Sequence, residues 1–217
     1  MNTEEARFNM IEQQIRTWNV LDPEVLDLLT LVKREEFVPQ VWRGLAFMDT
    51  EVPLPCDENM LAPRVEARIL QEAGVRKHET VLEIGAGSGY MAALLAHRAR
   101  HVTTVELHPE LRALADQNLT RYGITNVDVV QGDAARGFDT GNQYDVIVIS
   151  GSLPTLPDAF LQQLKTGGRL LAFIGELPVM EAQKTTRVSE RDYRTEMLFE
   201  TCVKPLRNAA QPSKFHF

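Results

Sequence analysis

Three acids and three glycines carry the chemistry this chain could do. The segment Val81-Leu82-Glu83-Ile84-Gly85-Ala86-Gly87-Ser88-Gly89-Tyr90 sets an apolar run with one carboxylate before glycines at every second position. The run from Val81 to Ile84 reads as a buried parallel strand. Met91-Ala92-Ala93-Leu94-Leu95-Ala96, behind the glycines, reads as a helix. Glycines at a strand-to-helix turn allow a tight bend and a close approach of ligand to backbone. The helix N-terminus adds unpaired N–H groups and partial positive charge, suited to an anion. Glu83, just before the first glycine, could receive an ammonium group. A ligand with both a carboxylate and an amine fits that pair. The spacing is G-x-G-x-G, not the G-x-G-x-x-G of dinucleotide binders, which argues against a dehydrogenase.

Two further acids narrow the ligand. His101-Val102-Thr103-Thr104-Val105-Glu106 reads as a second strand ending in an acid. Glu106 falls about twenty residues past the glycines, where a Rossmann-like fold sets a carboxylate on ribose hydroxyls. A third strand, Val127-Asp128-Val129-Val130, leads into Gln131-Gly132-Asp133. In methyltransferases of this shape such an acid sits near the adenine amino group. The three acids at successive strand ends point to S-adenosylmethionine as cofactor, with S-adenosylhomocysteine as product. The expected cofactor-binding residues are Glu83, Gly85, Ala86, Gly87, Ser88, Gly89, Glu106, Leu107, Gly132 and Asp133.

The elements that position these residues follow from periodicity. Residues 4 to 18 read as a helix with Phe8, Ile11 and Ile15 on one face. Asp22-Pro23 is a helix start, Asp as N-cap and Pro at the first helical position. Val25, Leu26, Leu28, Leu29 and Val32 supply that helix's apolar face. Residues 49 to 63 are proline-rich with little periodicity and read as a loop or extended arm. A helix over 63–73 follows, with Gly74 as its C-cap. From residue 80 strands and helices alternate. Strands are expected near 81–85, 101–107, 127–131, 144–150 and 168–175, and helices over 89–98, 109–121 and 157–165. Residues 179–188 and 193–203 alternate around Ser189-Glu190-Arg191-Asp192 and read as a closing hairpin. The expected fold is α/β: a doubly wound, mostly parallel Rossmann-like sheet, closed by a C-terminal β-hairpin, with an N-terminal helical extension. The expected division is 1–75 for that extension with a substrate-loop region and 76–217 for the cofactor-binding domain, one compact unit overall. The C-terminal aromatics Phe215 and Phe217 are read as docked on the body or frayed.

Composition excludes several classes. A net charge of -7 over 217 residues argues against broad phosphate-backbone binding, so no nucleic-acid partner is expected. No apolar run reaches membrane-spanning length and the start lacks a signal peptide's pattern, so no membrane partner is expected. Cys56 and Cys202 form no spaced pair, which suggests a reduced, cytoplasmic protein. His97, His101 and His108 fall on a helix end, a strand start and a helix start, so no metal is expected. Trp18 and Trp42 are expected to pack against the sheet or arm. Cys56, with no histidine near it in sequence, is read as incidental rather than nucleophilic.

Further tracts give a resemblance to a known family. Arg34-Glu35-Glu36-Phe37-Val38-Pro39 has the form R-x-x-F-V-P. Tyr90 directly follows Gly89. Gly123-Ile124-Thr125-Asn126-Val127, Gly132-Asp133 and Leu161-Gln162-Gln163-Leu164-Lys165-Thr166-Gly167-Gly168-Arg169-Leu170 complete the set. In combination the chain resembles the protein-L-isoaspartate O-methyltransferases over nearly its whole length. The resemblance implies methyl transfer to a carboxylate of isoaspartyl residues in damaged proteins or peptides.

One tract departs from the family. Its substrate loop has the form G-x-G-Q-T-I-S-Q-P, and the aligned loop here is Pro55-Cys56-Asp57-Glu58-Asn59-Met60-Leu61-Ala62-Pro63. Pro55 and Asp57 replace the glycines, and Leu61 replaces the serine that the resemblance places on the substrate carboxylate. Leucine cannot hydrogen-bond a carboxylate. Asp57 and Glu58 would repel an anionic acceptor if turned inward, and would not if they face solvent. Asn59, Ser150 and Ser152 are the candidate catalytic contacts. Two alternatives to an isoaspartyl acceptor stand: another protein or small-molecule acceptor, and a cofactor-binding module without turnover. The expected state is a monomer or weak homodimer.

Overall fold

The computed structural model describes residues 2–139 and 141–211. The aromatic tail lies outside them. Six α-helices are α1 Thr3–Asn9, α2 Pro23–Leu31, α3 Pro63–Ala73, α4 Tyr90–Arg98, α5 Pro109–Arg121 and α6 Asp158–Gln162. A small hairpin is formed by β1 Val52–Leu54 and β2 Glu58–Met60. The main sheet holds β3 Thr80–Ile84, β4 His101–Glu106, β5 Val127–Gln131, β6 Tyr144–Leu153, β7 Leu164–Glu176, β8 Val179–Arg187 and β9 Tyr193–Thr201.

The sheet runs β5-β4-β3-β6-β7-β8-β9. The first five strands in this order run parallel, and β8 and β9 close the sheet as an antiparallel hairpin. β3 pairs with β4 on one side and β6 on the other, Ile84 standing opposite both Val105 and Ile149. The strand order therefore reverses between β3 and β6. In open α/β sheets ligands bind at the carboxyl ends of strands at such a switch point.

Successive side chains on a strand point to opposite faces. Val81, Val146 and Val148 join the core that packs against α2, α3, α4 and the N-terminal helices. Leu82, Ile84, Ile147 and Ile149 join a second core with Tyr144, Phe160 and Leu164. Both faces of β3 are thus covered, which is why it is apolar from Val81 to Ile84 apart from Glu83. By the same alternation Glu83 points with Val81 toward the helical layer.

Several elements differ from the sequence reading. The helical run from Thr3 is α-helical to Asn9, π-helical over Met10–Ile15 and 3₁₀ over Arg16–Trp18. A π-turn rotates the buried stripe away from the 3.6-residue period. Ile11 and Ile15 are buried as expected, but Phe8 is 62% exposed and Arg7 and Met10 lie buried instead. The arm over 49–63 is the hairpin β1–β2, turned by a 3₁₀ segment at Pro55–Asp57. The helix expected over 157–165 ends at Gln162, because Leu164 already pairs with Tyr144. Residues 132–143 carry no helix among the described residues, so β5 passes to β6 through irregular chain. Trp18 meets Phe199 of β9 with ring centroids 5.1 Å apart. Trp42 is 41% exposed and has no core role. No helix among the described residues is long and apolar enough to cross a membrane.

Candidate active site

The glycine turn leaves β3 at the switch point. Gly85, Gly87 and Gly89 all have positive φ, at 92°, 53° and 84°. This backbone region costs a residue with a Cβ but not glycine. Each glycine has a different neighbour. Gly85 and Gly87 line an open cleft at the carboxyl end of the sheet. Gly89 faces α5 instead, where a Cβ would lie 3.2 Å from the Ala115 carbonyl oxygen. Its role is close helix packing. Ala86 and Ser88 line a smaller recess that continues from the cleft and contains Glu66, Glu83, Tyr90 and Ser150.

The strand-end acids converge on this space. Glu106 accepts hydrogen bonds from the Gly87 N–H at 2.9 Å and the His108 N–H at 3.0 Å. The glycine turn and the end of β4 are thereby locked together. Asp133 accepts from the Ala135 N–H at 3.2 Å and from Asn208 Nδ2 at 2.8 Å. Gly132, Asp133, Glu106 and Leu107 line the same cleft. Glu83 is fully buried and accepts from Thr104 Oγ1 at 2.7 Å and Ser150 Oγ at 3.1 Å. Burial, opposed by these two hydroxyls, pushes its carboxyl up to about 8. An ammonium group in the recess would draw it back down.

The recess also holds a buried ion pair absent from the expected site. Arg34 donates to Glu66 and, at 2.8 Å, to the Leu61 carbonyl, and its guanidinium lies over the Tyr90 ring. Burial raises the Glu66 carboxyl to about 7 even with Arg34 beside it. The Tyr90 hydroxyl is buried without a hydrogen-bond partner. The R-x-x-F-V-P tract thus anchors the chain just after the β1–β2 hairpin, through Leu61.

The loop residues divide. Glu58, Asn59 and Leu61 line the cleft, and Asn59 Nδ2 donates to Glu51 at 3.0 Å. Met60 lines the recess. Pro55, Cys56 and Asp57 line neither space. Cys56 and Asp57 have φ of 62° and 57°, so the second family glycine position keeps its left-handed backbone although aspartate occupies it. Asp is among the few residues that tolerate this region. The Cys56 thiol lies 3.6 Å from Glu110, and loss of solvent with Glu110 beside it raises its pKa, opposite to what a nucleophile needs.

Of the three candidate contacts, Asn59 and Ser150 face the site. Ser152 does not: it is buried, and its hydroxyl donates to the Val203 carbonyl at 2.8 Å. That bond, with Ser152 N–H to Lys204 O at 3.0 Å and Leu206 N–H to Ser152 O at 2.9 Å, fastens residues 203–206 to the end of β6. This segment completes the cleft with Lys204, Pro205, Leu206 and Arg207. The sequence reading missed it. The only signal was two cations just past the last strand, facing two unexpected acids elsewhere in the chain.

The residues suit an adenosylmethionine-type ligand by their chemistry. A buried carboxyl lies at the glycine turn, a second acid at the end of β4 and a third after β5, with open glycine backbone between. Among the described residues no cluster of histidine, cysteine and acid side chains could hold a metal ion. The architecture is that of the class I methyltransferases. A Plasmodium falciparum structure titled as a protein-L-isoaspartate O-methyltransferase in complex with S-adenosyl-L-homocysteine superposes with a TM-score of 0.80, at 18% identity, over 95% of this chain and 99% of that one. A family model for protein-L-isoaspartate(D-aspartate) O-methyltransferase matches residues 5–206. A protein-L-isoaspartate O-methyltransferase of Rhodopseudomonas palustris is 38% identical over 201 residues, 92% of each chain. One from Methanoculleus marisnigri is 36% identical over 202 residues, 92% of this chain and 90% of that one. The chain belongs to the protein-L-isoaspartate O-methyltransferase family.

Proposed function

We propose that this protein is an S-adenosylmethionine-dependent methyltransferase that esterifies a carboxylate of isoaspartyl residues in damaged proteins or peptides. The observation that carries the reading is the cleft at the β3–β6 switch point, where Glu83, Gly85, Gly87, Glu106 and Asp133 converge. Relatives named for this activity, matching over nearly the whole chain, support it.

Glu83 would hold the cofactor's ammonium group, Glu106 its ribose hydroxyls and Asp133 its adenine amino group. The bound cofactor would supply an electrophilic methyl group. The remaining work is positional. A carboxylate acceptor has a pKa near 4 and is already ionised at neutral pH, so no general base is required. Ser150 and Asn59 face the space where acceptor and cofactor would meet. Leu61, Leu111, Ile84 and Val105 give the cleft apolar walls, which help to exclude water and keep reacting groups in near-attack geometry. We read residues 1–75 as the layer that supplies the substrate loop and its anchor, and residues 76–217 as the cofactor-binding part. Two free cysteines, one exposed, suit a reducing, cytoplasmic setting.

The direct test is transfer of a labelled methyl group to an isoaspartyl peptide beside its aspartyl twin. Transfer to the isoaspartyl form alone is expected. Binding of S-adenosylhomocysteine with no transfer to either would overturn the acceptor while leaving the cofactor site standing.

A further inference from the structure

We propose that Lys204 and Arg207 receive the acceptor's carboxylate, and that Asp57 and Glu58 occupy these cations until an anionic acceptor displaces them. This rests on the isoaspartyl reading above and supplies what the altered loop lacks. Leu61 stands where the family pattern has a hydroxyl, so the loop offers no side chain suited to a carboxylate at that point.

Lys204 and Arg207 are the only lysine or arginine side chains among the described residues lining the cleft. Both already hold carboxylates. Arg207 donates through Nε to Glu58 at 2.8 Å and through Nη2 to Asp57 Oδ2 at 3.0 Å, and Lys204 Nζ lies 3.2 Å from Asp57 Oδ2. His108 Nε2 lies 3.6 Å from Glu58 on its other side. Lys204 and Arg207 hold the Asp57 carboxyl below its ordinary range, and Glu58 with Asp57 raises the Arg207 guanidinium. The donors are therefore spaced for oxyanions, and a guanidinium fork suits a carboxylate above other groups.

The two sides of the clasp are built differently. The cations sit on a segment fastened to β6 by Ser152. Asp57 sits on the turn of a two-stranded hairpin, where it and Cys56 both hold left-handed backbone, and Glu58 opens the second strand. Asp57 is 85% exposed. The Asp57 pairs, so wetted, are screened and weak, so an incoming carboxylate can take their place first; Glu58, 19% exposed, is held more firmly. The arrangement makes the free protein's acids a competitor that favours anionic acceptors over neutral ones. It also aids release: the methyl ester is neutral, so it no longer competes, and the clasp closes again.

The test measures binding of an isoaspartyl peptide to the S-adenosylhomocysteine-loaded protein, with KM for the same peptide beside it. R207Q should weaken peptide binding about tenfold, the effect of one lost charge-assisted contact, and R207K should recover part of it. D57N/E58Q should tighten binding about three- to tenfold and steepen its salt dependence, because no internal ion pair is given up when the peptide binds. Opposite signs from the two sides of one ion pair separate competition from a merely structural clasp. R207Q binding like the parent, or D57N/E58Q binding more weakly than the parent, would overturn the proposal while parent turnover keeps the function reading intact. A parent that neither binds nor methylates the isoaspartyl peptide would overturn both. The rise in melting temperature on S-adenosylhomocysteine binding confirms folding in every variant.

Discussion

Replacing Glu83 by glutamine probes the most perturbed acid in the site. The side chain is fully buried, hydrogen-bonded by Thr104 and Ser150, and its carboxyl lies near 8 instead of 4.5. A folded-state value raised above the unfolded one makes the folded state hold the proton more tightly. The associated stability is complete below about pH 4.5 and is lost as pH rises to about 8. The gap between 4.5 and about 8 corresponds to about 5 kcal/mol as an upper figure. Glutamine keeps the shape and cannot ionise. E83Q should therefore flatten the fall in unfolding free energy between pH 5 and 9 by several kcal/mol, and match or exceed the parent's stability at pH 9. The assay is urea denaturation at pH 5, 7 and 9 without ligand. The ligand side runs the other way: an ammonium group favours the carboxylate, so S-adenosylhomocysteine binding to the parent should release a proton below pH 8. E83Q should abolish that release and weaken binding at least tenfold, as loss of a charged hydrogen bond does. Stability curves of parent and E83Q that stay parallel from pH 5 to 9 would show that Glu83 is ionised throughout, and the reasoning would fail.

Four further substitutions test other parts of the structure. Arg34→Met strands the buried Glu66 carboxyl and should cost about 3–5 kcal/mol, less at pH 6 than at pH 8 because Glu66, near 7, can take up a proton; an equal loss at both pH values in urea melts would contradict this. Gly89→Ala forces a Cβ toward the Ala115 backbone at φ 84° and should cost about 1–3 kcal/mol, seen as a lower Tm with and without ligand. Trp42→Ala should change stability by less than about 1 kcal/mol given its exposure. Trp18→Ala should cost clearly more, since it removes the Phe199 contact and the Arg64 guanidinium stacked 4.6 Å from its ring centroid.

The parallel sheet was legible because its strands are short apolar runs and its turns carry glycine or proline. The hairpin after Gly175 was legible from simple alternation. The N-terminal helix misled, because a π-turn shifts the buried stripe and puts Arg7 where a 3.6-residue period wants Phe8. Glu83 and Glu106 were legible since one lies within and the other ends an apolar strand, and Asp133 since it follows the end of β5. Lys204 and Arg207 were not, because their partners Asp57 and Glu58 lie about 150 residues earlier and only the closed sheet brings them together. Ser152 was a candidate contact because the strand was expected to end near residue 150, whereas β6 runs to Leu153. The register shift between Val148 and Ser152 is where the strand's pairing becomes irregular, and its hydroxyl bonds Val203 rather than facing the site.

Among the described residues no helix covers the passage from β5 to β6, and the two ends of the cleft are unequally firm. β3 is buried on both faces, whereas β5 is an edge strand whose Val127, Val129 and Val130 are only half-covered. Edges with sparse cover open most readily in native-state fluctuations. The end at Glu83 is thus held by a central strand covered on both faces, and the end at Gly132–Asp133 follows a half-covered edge strand. A ligand lying along the cleft would be gripped at its amino-acid end and loosened first at its base, so amide exchange at Gln131–Ala135 should slow far more on ligand binding than exchange along Val81–Ile84, which is already protected in the free protein.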